Sequence, residues 1–290
     1  MNSLSSRVHL SEQVSRILFI AAAGVSILAV ALICVFLLAN GVPAIVQIGL
    51  PDFLLGTTWK PANDIYGIFP MIIGSIYVTI GALIVGVPAG ILCAIFLAKF
   101  ATGRVVRIMR PGIELLAGIP SVIYGFFGLV VFVPTIRSWG VGSGFSLLAA
   151  SVLLGIMILP TIITVSQSAI EAVPSSYYQG ARALGADHEH AVFRVVVPAA
   201  VSGIVAAVIL GLGRALGETM AVIMVAGNQP VIPDSIFDGV RTMTANIVLE
   251  MGYAADLHRG ALIATGVVLF VFILIINTLV NLARKSGKAE

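Results

Sequence analysis

The chain has 290 residues, of which 59% are hydrophobic and only 10% are charged, and its mean hydropathy is +1.10. Soluble proteins carry roughly a quarter charged residues, so this composition excludes a soluble globular protein. The net charge of +3 is small, and its basic residues flank apolar segments, so nothing indicates a nucleic-acid partner. The composition predicts an all-α polytopic protein whose surroundings are the lipid bilayer.

Long uncharged segments reach the ~20 apolar residues that a membrane-crossing helix needs. We predict six transmembrane helices, at residues 17–39, 70–98, 111–133, 145–168, 200–226 and 260–283. The first is longer than the roughly 7–15-residue apolar region of a signal peptide, and no clear cleavage site follows it. We therefore predict that it is retained. Cys34 and Cys93 fall inside predicted spans, which indicates neither a disulfide nor a metal framework.

The distribution of Lys and Arg predicts the orientation of the chain. With the N-terminus inside, eleven of them fall on inner segments and four on outer segments, the four being Lys60, Arg137, Arg241 and Arg259. This excess follows the positive-inside rule and places both termini in the cytoplasm. The predicted order is an inner tail, the first span, an outer segment, a helical core with an inner loop, and an inner tail: 1–16, 17–39, 40–69, 70–283 with loop 169–198, and 284–290.

Two smaller features concern packing. Trp59 and Tyr66 lie in the predicted outer segment, where aromatic residues typically anchor a protein at the membrane–water interface, and we predict this role for both. Gly86 and Gly90 are four residues apart in the second span, a spacing that lets a neighbouring helix of the same chain approach closely.

The segment from Tyr177 to Pro198, YYQGARALGADHEHAVFRVVVP, is a polar island in an otherwise apolar chain. Its pattern predicts a short helix up to Leu184, a break at Gly185, which tolerates left-handed dihedral angles, and a second short helix. The run from Asp187 to His190 lacks the spacing of a helical metal site, so we predict no metal there. The island is either a knob for a partner protein or an ordinary inner loop.

The fifth predicted span contains Arg214 and Glu218, whose i, i+4 spacing predicts one shared helical face. At ~1.5 Å per residue, Arg214 lies roughly 20 Å into the span. Charges at such depth usually face a bundle interior or a watery cavity. The pair predicts either a pathway for an oxyanion, whose geometry a guanidinium matches, or a self-compensating ion pair that tightens packing. We favour the pathway.

In the pathway interpretation, Glu218 orients the guanidinium of Arg214 and offsets part of its field, so that a bound anion can leave. A carboxylate also accepts a hydrogen bond from HPO₄²⁻, whereas sulfate is fully deprotonated and has no proton to donate. This hypothesis favours phosphate as the anion. In the third span, Pro120 predicts a kink that frees a backbone carbonyl. Glu114 lies about one turn into that span and either reaches the interface or lines the same pathway.

Three stretches together resemble a known family. Gln179-Gly180-Ala181, three residues, Gly185, nine residues and then Val195-x-Val197-Pro198 match the spacing of the EAA loop of ABC importer permeases, with Gln179 in place of the family's Glu. LAGIPSVIYG in the third span and GLGRALGETMAV in the fifth are similar to segments of the phosphate-specific ABC importer permeases of the PstC type. The resemblance covers essentially the whole chain.

The resemblance implies a type I importer permease, with a five-helix core plus an N-terminal helix, in a bacterial inner membrane. Such a chain forms half of the pore of an ATP-driven inorganic phosphate importer, beside a second homologous permease. An ATPase subunit dimer, which binds ATP and Mg, grips the coupling loop 177–198, and an extracytoplasmic phosphate-binding protein docks outside. By matching position, Arg214 and Glu218 act in phosphate passage, and the coupling residues are Tyr178, Gln179, Gly180, Ala181, Gly185 and Pro198.

The chain contains no G-x-x-x-x-G-K-[ST] segment, so we predict a transport subunit without a bound cofactor and not an enzyme, with ATP hydrolysed by a partner. Two alternatives stay open. A permease for molybdate or sulfate would keep the coupling loop and differ around Arg214. An ion-coupled secondary transporter would need no such loop, and would usually show repeated broken helices.

Overall fold

The computed structural model describes the backbone of residues 2–286 and the side chains of residues 15–278. Within that part the chain is helical apart from one short hairpin and the loops that connect the elements. The elements in chain order are α1 (Asn2–Ile48), α2 (Leu50–Leu55), β1 (Trp59–Lys60), β2 (Ile65–Tyr66), α3 (Phe69–Ile95), α4 (Gly103–Gly118), α5 (Ser121–Phe127), α6 (Val133–Ser138), α7 (Leu147–Glu171), α8 (Ser175–Ala183), α9 (His188–Ala191), α10 (Val197–Ala199), α11 (Val201–Gly217), α12 (Met220–Val225), α13 (Met243–Met251) and α14 (Asp256–Ser286).

Three π-helical turns prolong helices, Phe96–Phe100 after α3, Gly128–Phe132 between α5 and α6, and Val192–Val196 after α9. Five helical segments in the described range are long and apolar enough to cross a membrane: Ser15–Ile48, Phe69–Phe100, Ser121–Ser138, Leu147–Glu171 and Asp256–Thr278. A sixth crossing forms if His188–Ala199 and Val201–Gly217, bent by 66°, count as one span. The predicted number of six is reached only with this bent pair.

The third predicted span, 111–133, has wrong boundaries. Helix α4 ends at Gly118, and the crossing segment begins only at Ser121. Pro120 causes this break, because it lacks a backbone N–H and disfavours the helical conformation of the preceding residue. Ile119 is accordingly extended, with φ −68° and ψ 126°. The carbonyl of Leu116, which a helical residue 120 would have bonded, instead accepts the Tyr124 hydroxyl at 2.9 Å.

The fifth predicted span, 200–226, is also interrupted. Helix α11 ends at Gly217, Glu218 is extended with φ −69° and ψ 133°, and α12 begins at Met220. Gly217 and Thr219 are poor helix formers, and the carboxylate of Glu218 competes for backbone donors, so the break has local causes.

Helix α7 is the central element, packed against α3, α5, α11 and α12. It contacts α3 closely at two glycines that lack a Cβ atom. A Cβ atom on Gly86 would lie only 2.7 Å from Ile158, and one on Gly90 would lie only 2.7 Å from Ile162. The predicted close approach of a helix of the same chain to these glycines is confirmed. Helix α1 is apart from this core. Its side chains from Ser15 onward are largely exposed, and it packs on α14 where Gly41 meets Val267.

The prediction that Trp59 and Tyr66 are interface anchors is wrong. The two residues are paired across β1 and β2, and they are only 6% and 3% exposed. They pack with Phe53, Met71 and residues of α14 in a second core, because the hairpin folds back onto α14. Burial, followed by the hydrogen bond to Asp64, raises the pKa of Tyr66 above its usual value.

Candidate functional site

Arg214 lies in the last turn of α11, half-buried against α7. Its Nη1 donates a hydrogen bond of 3.3 Å to Oγ1 of Thr161, and this hydroxyl is its only hydrogen-bond partner within residues 15–278. Close packing brings the two helices together, since a Cβ atom on Gly211 would lie 3.0 Å from Ile162. A guanidinium has five N–H donors, so Arg214 keeps several for another ligand.

The predicted pairing of Arg214 with Glu218 on one helical face is wrong, because the helix ends between them. Oε1 of Glu218 accepts the backbone N–H groups of Thr219 at 3.1 Å and Ala221 at 3.2 Å. These are free N–H groups at the start of α12, where an acceptor is favourable. Among the side chains at 15–278, Glu218 forms no ion pair with Arg214. The carboxylate therefore stabilises the break, and Arg214 stays positively charged beside a neutral hydroxyl.

Glu114 lies elsewhere, on the exposed face of α4. It borders a polar cavity of about 320 Å³, whose lining residues are Arg110, Ile113, Glu114, Thr164, Gln167, Ser168 and Glu171. Neither Arg214 nor Glu218 lines this cavity; Glu218 borders a separate cavity of about 10 Å³. The structure thus does not bring the three predicted pathway residues into one cavity.

Helix α7 nevertheless connects the two places. Thr161, which holds Arg214, and Thr164, which lines the cavity of Glu114, are three residues apart on that helix. Residues at this spacing lie on nearby faces of a helix, about 4.5 Å apart along its axis. The hydroxyl that bonds Arg214 and a hydroxyl that lines the cavity therefore lie within one turn of the same helix.

The loop 177–198 has the predicted two-helix form. Helix α8 ends at Ala183, Gly185 adopts the left-handed φ of 92°, and α9 begins at His188. The predicted break at Gly185 is confirmed. Gln179, Gly180 and Gly185 are exposed, Tyr178 and Ala181 are half-buried, and Pro198 is exposed in α10. No residue of α8 is buried within the chain, and Leu184 at its end is 91% exposed.

Residues between Asp187 and His190 form hydrogen bonds that stabilise the loop. Asp187 caps α9, since its Oδ1 accepts the backbone N–H of His190 at 2.7 Å, and this bond holds the pKa of the carboxyl below its usual value. The ring of His188 lies between the Tyr178 hydroxyl and the backbone carbonyl of Lys99. Within the described residues, no group of three or more His, Cys, Asp or Glu side chains is placed to hold a metal.

A buried polar group that the sequence analysis missed lies beside the hairpin, and we call it the hairpin cluster: Trp59, Arg241, Glu250 and His258. Glu250 is its centre, accepting from Arg241 Nη1 at 2.6 Å, from Trp59 Nε1 at 2.9 Å and bonding His258 Nε2 at 2.9 Å. Arg241 also donates to Asn246 Oδ1 at 3.0 Å. No sequence spacing signals this cluster, because its members are brought together only by the fold.

Comparisons with known proteins agree with the fold. Residues 86–286 match the family model described as binding-protein-dependent transport system inner membrane component. The chain is 40% identical over 281 residues to a probable ABC transporter permease protein, YqgH, of Bacillus subtilis, covering 93% of this chain and 91% of the relative. It is 36% identical over 262 residues to the phosphate transport system permease protein PstC of Haemophilus influenzae, covering 82% and 83%.

Among solved structures, the MetNI methionine ABC transporter in an inward-facing conformation superposes with a TM-score of 0.58 at 19% identity, covering 76% of this chain and 94% of that one. An amino acid ABC transporter superposes with a TM-score of 0.54 at 20% identity. The predicted type I importer permease fold is confirmed by this likeness together with the family match. The chain belongs to the binding-protein-dependent transport system inner membrane component family and is a transport subunit rather than an enzyme.

Proposed function

We propose that the chain is a permease subunit of an ATP-driven inorganic phosphate importer and forms half of its translocation pore. The observation that carries this proposal is the Arg214 guanidinium, which lies at the end of a broken membrane helix with a neutral hydroxyl as its partner. The relatives named phosphate transport permeases support phosphate as the substrate.

The proposed pathway begins at Arg214, whose planar donors match two oxygens of a phosphate ion. The Thr161 hydroxyl beside it adds a neutral partner, and Thr164 leads on to the cavity bordered by Glu114. Glu218 contributes by stabilising the break between α11 and α12. Its Oε2 accepts no hydrogen bond within residues 15–278. We propose that during passage it accepts a hydrogen bond from HPO₄²⁻, which sulfate cannot donate.

The loop 177–198 is the proposed contact with an ATPase subunit dimer, which carries ATP and Mg. Exposed apolar side chains on a soluble surface are typical of protein contacts, and Leu184 at 91% and Tyr177 at 52% exposure lie at this loop. A second homologous permease completes the pore, and a phosphate-binding protein docks on the opposite side. Closure of the ATPases moves the loop and opens the pore outward, and hydrolysis resets it. Both termini are then cytoplasmic.

The test is ATP-dependent phosphate uptake by proteoliposomes that contain the full complex with wild-type chain, Arg214→Gln or Arg214→Lys. We expect Arg214→Gln to reduce uptake by on the order of tenfold or more, because it removes a charge-assisted hydrogen bond. Lysine keeps the charge without the planar fork and should give an intermediate rate. Arg137→Gln, which removes an exposed cation outside α11, is the matched control. Pull-down of the ATPase measures assembly in parallel.

Unchanged uptake by an assembled Arg214→Gln complex would contradict the role of Arg214. Competition experiments test the substrate separately. Excess sulfate or molybdate should leave phosphate uptake unchanged, and uptake of either in place of phosphate would transfer the proposal to that oxyanion.

A further inference from the structure

The ring of His188 joins two parts of the chain that are far apart in sequence. Helix α8 of the coupling loop closely follows α7, which ends at Glu171, and the loop continues into α11. Helix α3 is far away in sequence. Nδ1 of His188 lies 2.9 Å from the Tyr178 hydroxyl on α8, and Nε2 lies 3.1 Å from the carbonyl oxygen of Lys99, in the π-helical turn that prolongs α3.

The chemistry of the Lys99 carbonyl fixes the direction of one of the two hydrogen bonds. A backbone carbonyl only accepts, so Nε2 of His188 carries a proton and donates a hydrogen bond to the carbonyl oxygen of Lys99. The Lys99 carbonyl is available because the last carbonyls of a helix lack donors within the helix. At Nδ1, the Tyr178 hydroxyl can either donate or accept. Both ring nitrogens of His188 therefore have a hydrogen-bond partner within the chain.

The ring is also held from its sides. It meets Phe100 edge-to-face with ring centroids 4.8 Å apart, and Tyr178 in the same manner at 5.7 Å. Nearby, Val192 and Val196 belong to the same buried apolar cluster as Ile95 of α3. Apolar contacts are not directional, so this packing permits sliding, whereas the two hydrogen bonds of His188 set the register between α8 and α3.

We propose that His188 is a positioning residue that transmits movement of the coupling loop to α3. This inference rests on the proposed docking of the loop to an ATPase. From α3 the movement reaches α7 through the close contacts of Gly86 and Gly90 with Ile158 and Ile162, and Ile162 adjoins Thr161, the partner of Arg214. Without the bridge, the ATPases still bind the loop, but their closure moves α3 less.

The test measures the ATP hydrolysed per phosphate transported by the reconstituted full complex, with ATPase pull-down as the assembly readout. We expect His188→Leu to assemble and to raise this ratio about fivefold, the effect of losing a hydrogen bond. Tyr178→Phe keeps the aromatic ring of residue 178 and removes its hydroxyl. It therefore breaks only one of the two hydrogen bonds and should raise the ratio less. His188→Gln offers a donor and an acceptor and should restore part of the coupling. Thr102→Ala is the control, because Thr102 is exposed at the start of α4 and its side chain makes no capping hydrogen bond.

A wild-type ratio in His188→Leu would overturn the proposal. If His188→Leu fails to assemble, wild-type ratios in both Tyr178→Phe and His188→Gln would overturn it equally. Failure of the proposed function has a different signature. A wrong substrate abolishes phosphate uptake by the wild type, in which case the ratio is measured with the oxyanion that it does transport. A wrong docking site leaves the ATPase bound when the loop is altered.

Discussion

Two arginine side chains show how the partner of a guanidinium decides what it can do. Arg214 bonds a neutral hydroxyl, so its charge remains available to an anion. Arg241 bonds the carboxylate of Glu250 and the amide oxygen of Asn246, so its charge is compensated. Charged groups within membrane-spanning segments are costly and mark pathways when they lack a fixed counter-charge. This contrast supports the proposed transport role of Arg214 and a structural role for Arg241.

At the same scale, two glycines of the coupling loop predict opposite effects of one added methyl group. Gly185 has φ 92°, and a Cβ atom there meets no atom within 4 Å, so the cost of Gly185→Ala is backbone strain, about 1 kcal/mol. Gly180 lies inside α8 with equal space around it, so Gly180→Ala should stabilise the helix by about 0.5–1 kcal/mol.

Amide hydrogen exchange across Ser175–Ala183 in the solubilised permease measures both effects. We expect faster exchange in Gly185→Ala and slower exchange in Gly180→Ala. The same direction of change in both variants would contradict the assigned conformations.

At the scale of elements, the breaks at Pro120 and Gly217 divide two of the predicted spans, and side chains bond backbone groups beside each break. The Tyr124 hydroxyl bonds the Leu116 carbonyl that Pro120 leaves free, and Glu218 accepts the first N–H groups of α12. Broken helices are tolerated at membrane depth where neighbouring groups replace the lost bonds. Helix α7, which packs against both regions, runs unbroken from Leu147 to Glu171.

The contact between α3 and α7 gives an element-scale prediction. In Gly86→Val, the new Cβ atom would lie 2.7 Å from Ile158 and 2.8 Å from the carbonyl oxygen of Gly155. Overpacking of this kind costs about 1–3 kcal/mol, so the thermal unfolding midpoint in detergent should fall. Gly24→Val in α1 makes the same change where no atom lies within 4 Å, and its midpoint should stay near wild type. Equal midpoints for the two variants would contradict close packing at Gly86.

At the scale of the whole molecule, the hairpin cluster joins segments that are distant in sequence. Trp59 and Glu250 are 191 residues apart, and Arg241 and His258 come from either side of α13. The cluster fixes the hairpin, α13 and the start of α14 to one another. This end of the molecule is therefore held by polar bonds, whereas the contact of α3 with α7 depends on small residues.

Loss of one member of the cluster should destabilise the fold. Arg241→Leu leaves the Glu250 carboxylate, whose side chain is 9% exposed, without its closest cation, at a cost of about 3 kcal/mol. Arg137→Leu removes an exposed cation and should change the free energy of unfolding by no more than about 0.5 kcal/mol. Chemical denaturation of the solubilised protein compares the two. Similar losses in both variants would mean that the pair between Arg241 and Glu250 is not stabilising.

The amino-acid sequence alone predicts the membrane class, the six apolar segments and the helix break at Gly185, because these depend on composition and on local backbone chemistry. Three short motifs in the sequence also indicated the family. The sequence did not reveal the partner of Arg214, since the i, i+4 spacing to Glu218 predicts a pair only if the helix continues. The break at Gly217 turned that carboxylate toward α12.

The burial of Trp59, the position of Glu250 at the centre of a cluster and the bridge from His188 to Lys99 become visible only in the folded chain. The physical reason is the separation of the partners along the chain. Hydropathy and periodicity report which residues avoid water within one segment, whereas hydrogen bonds between segments depend on how the packed helices place the polar groups that remain.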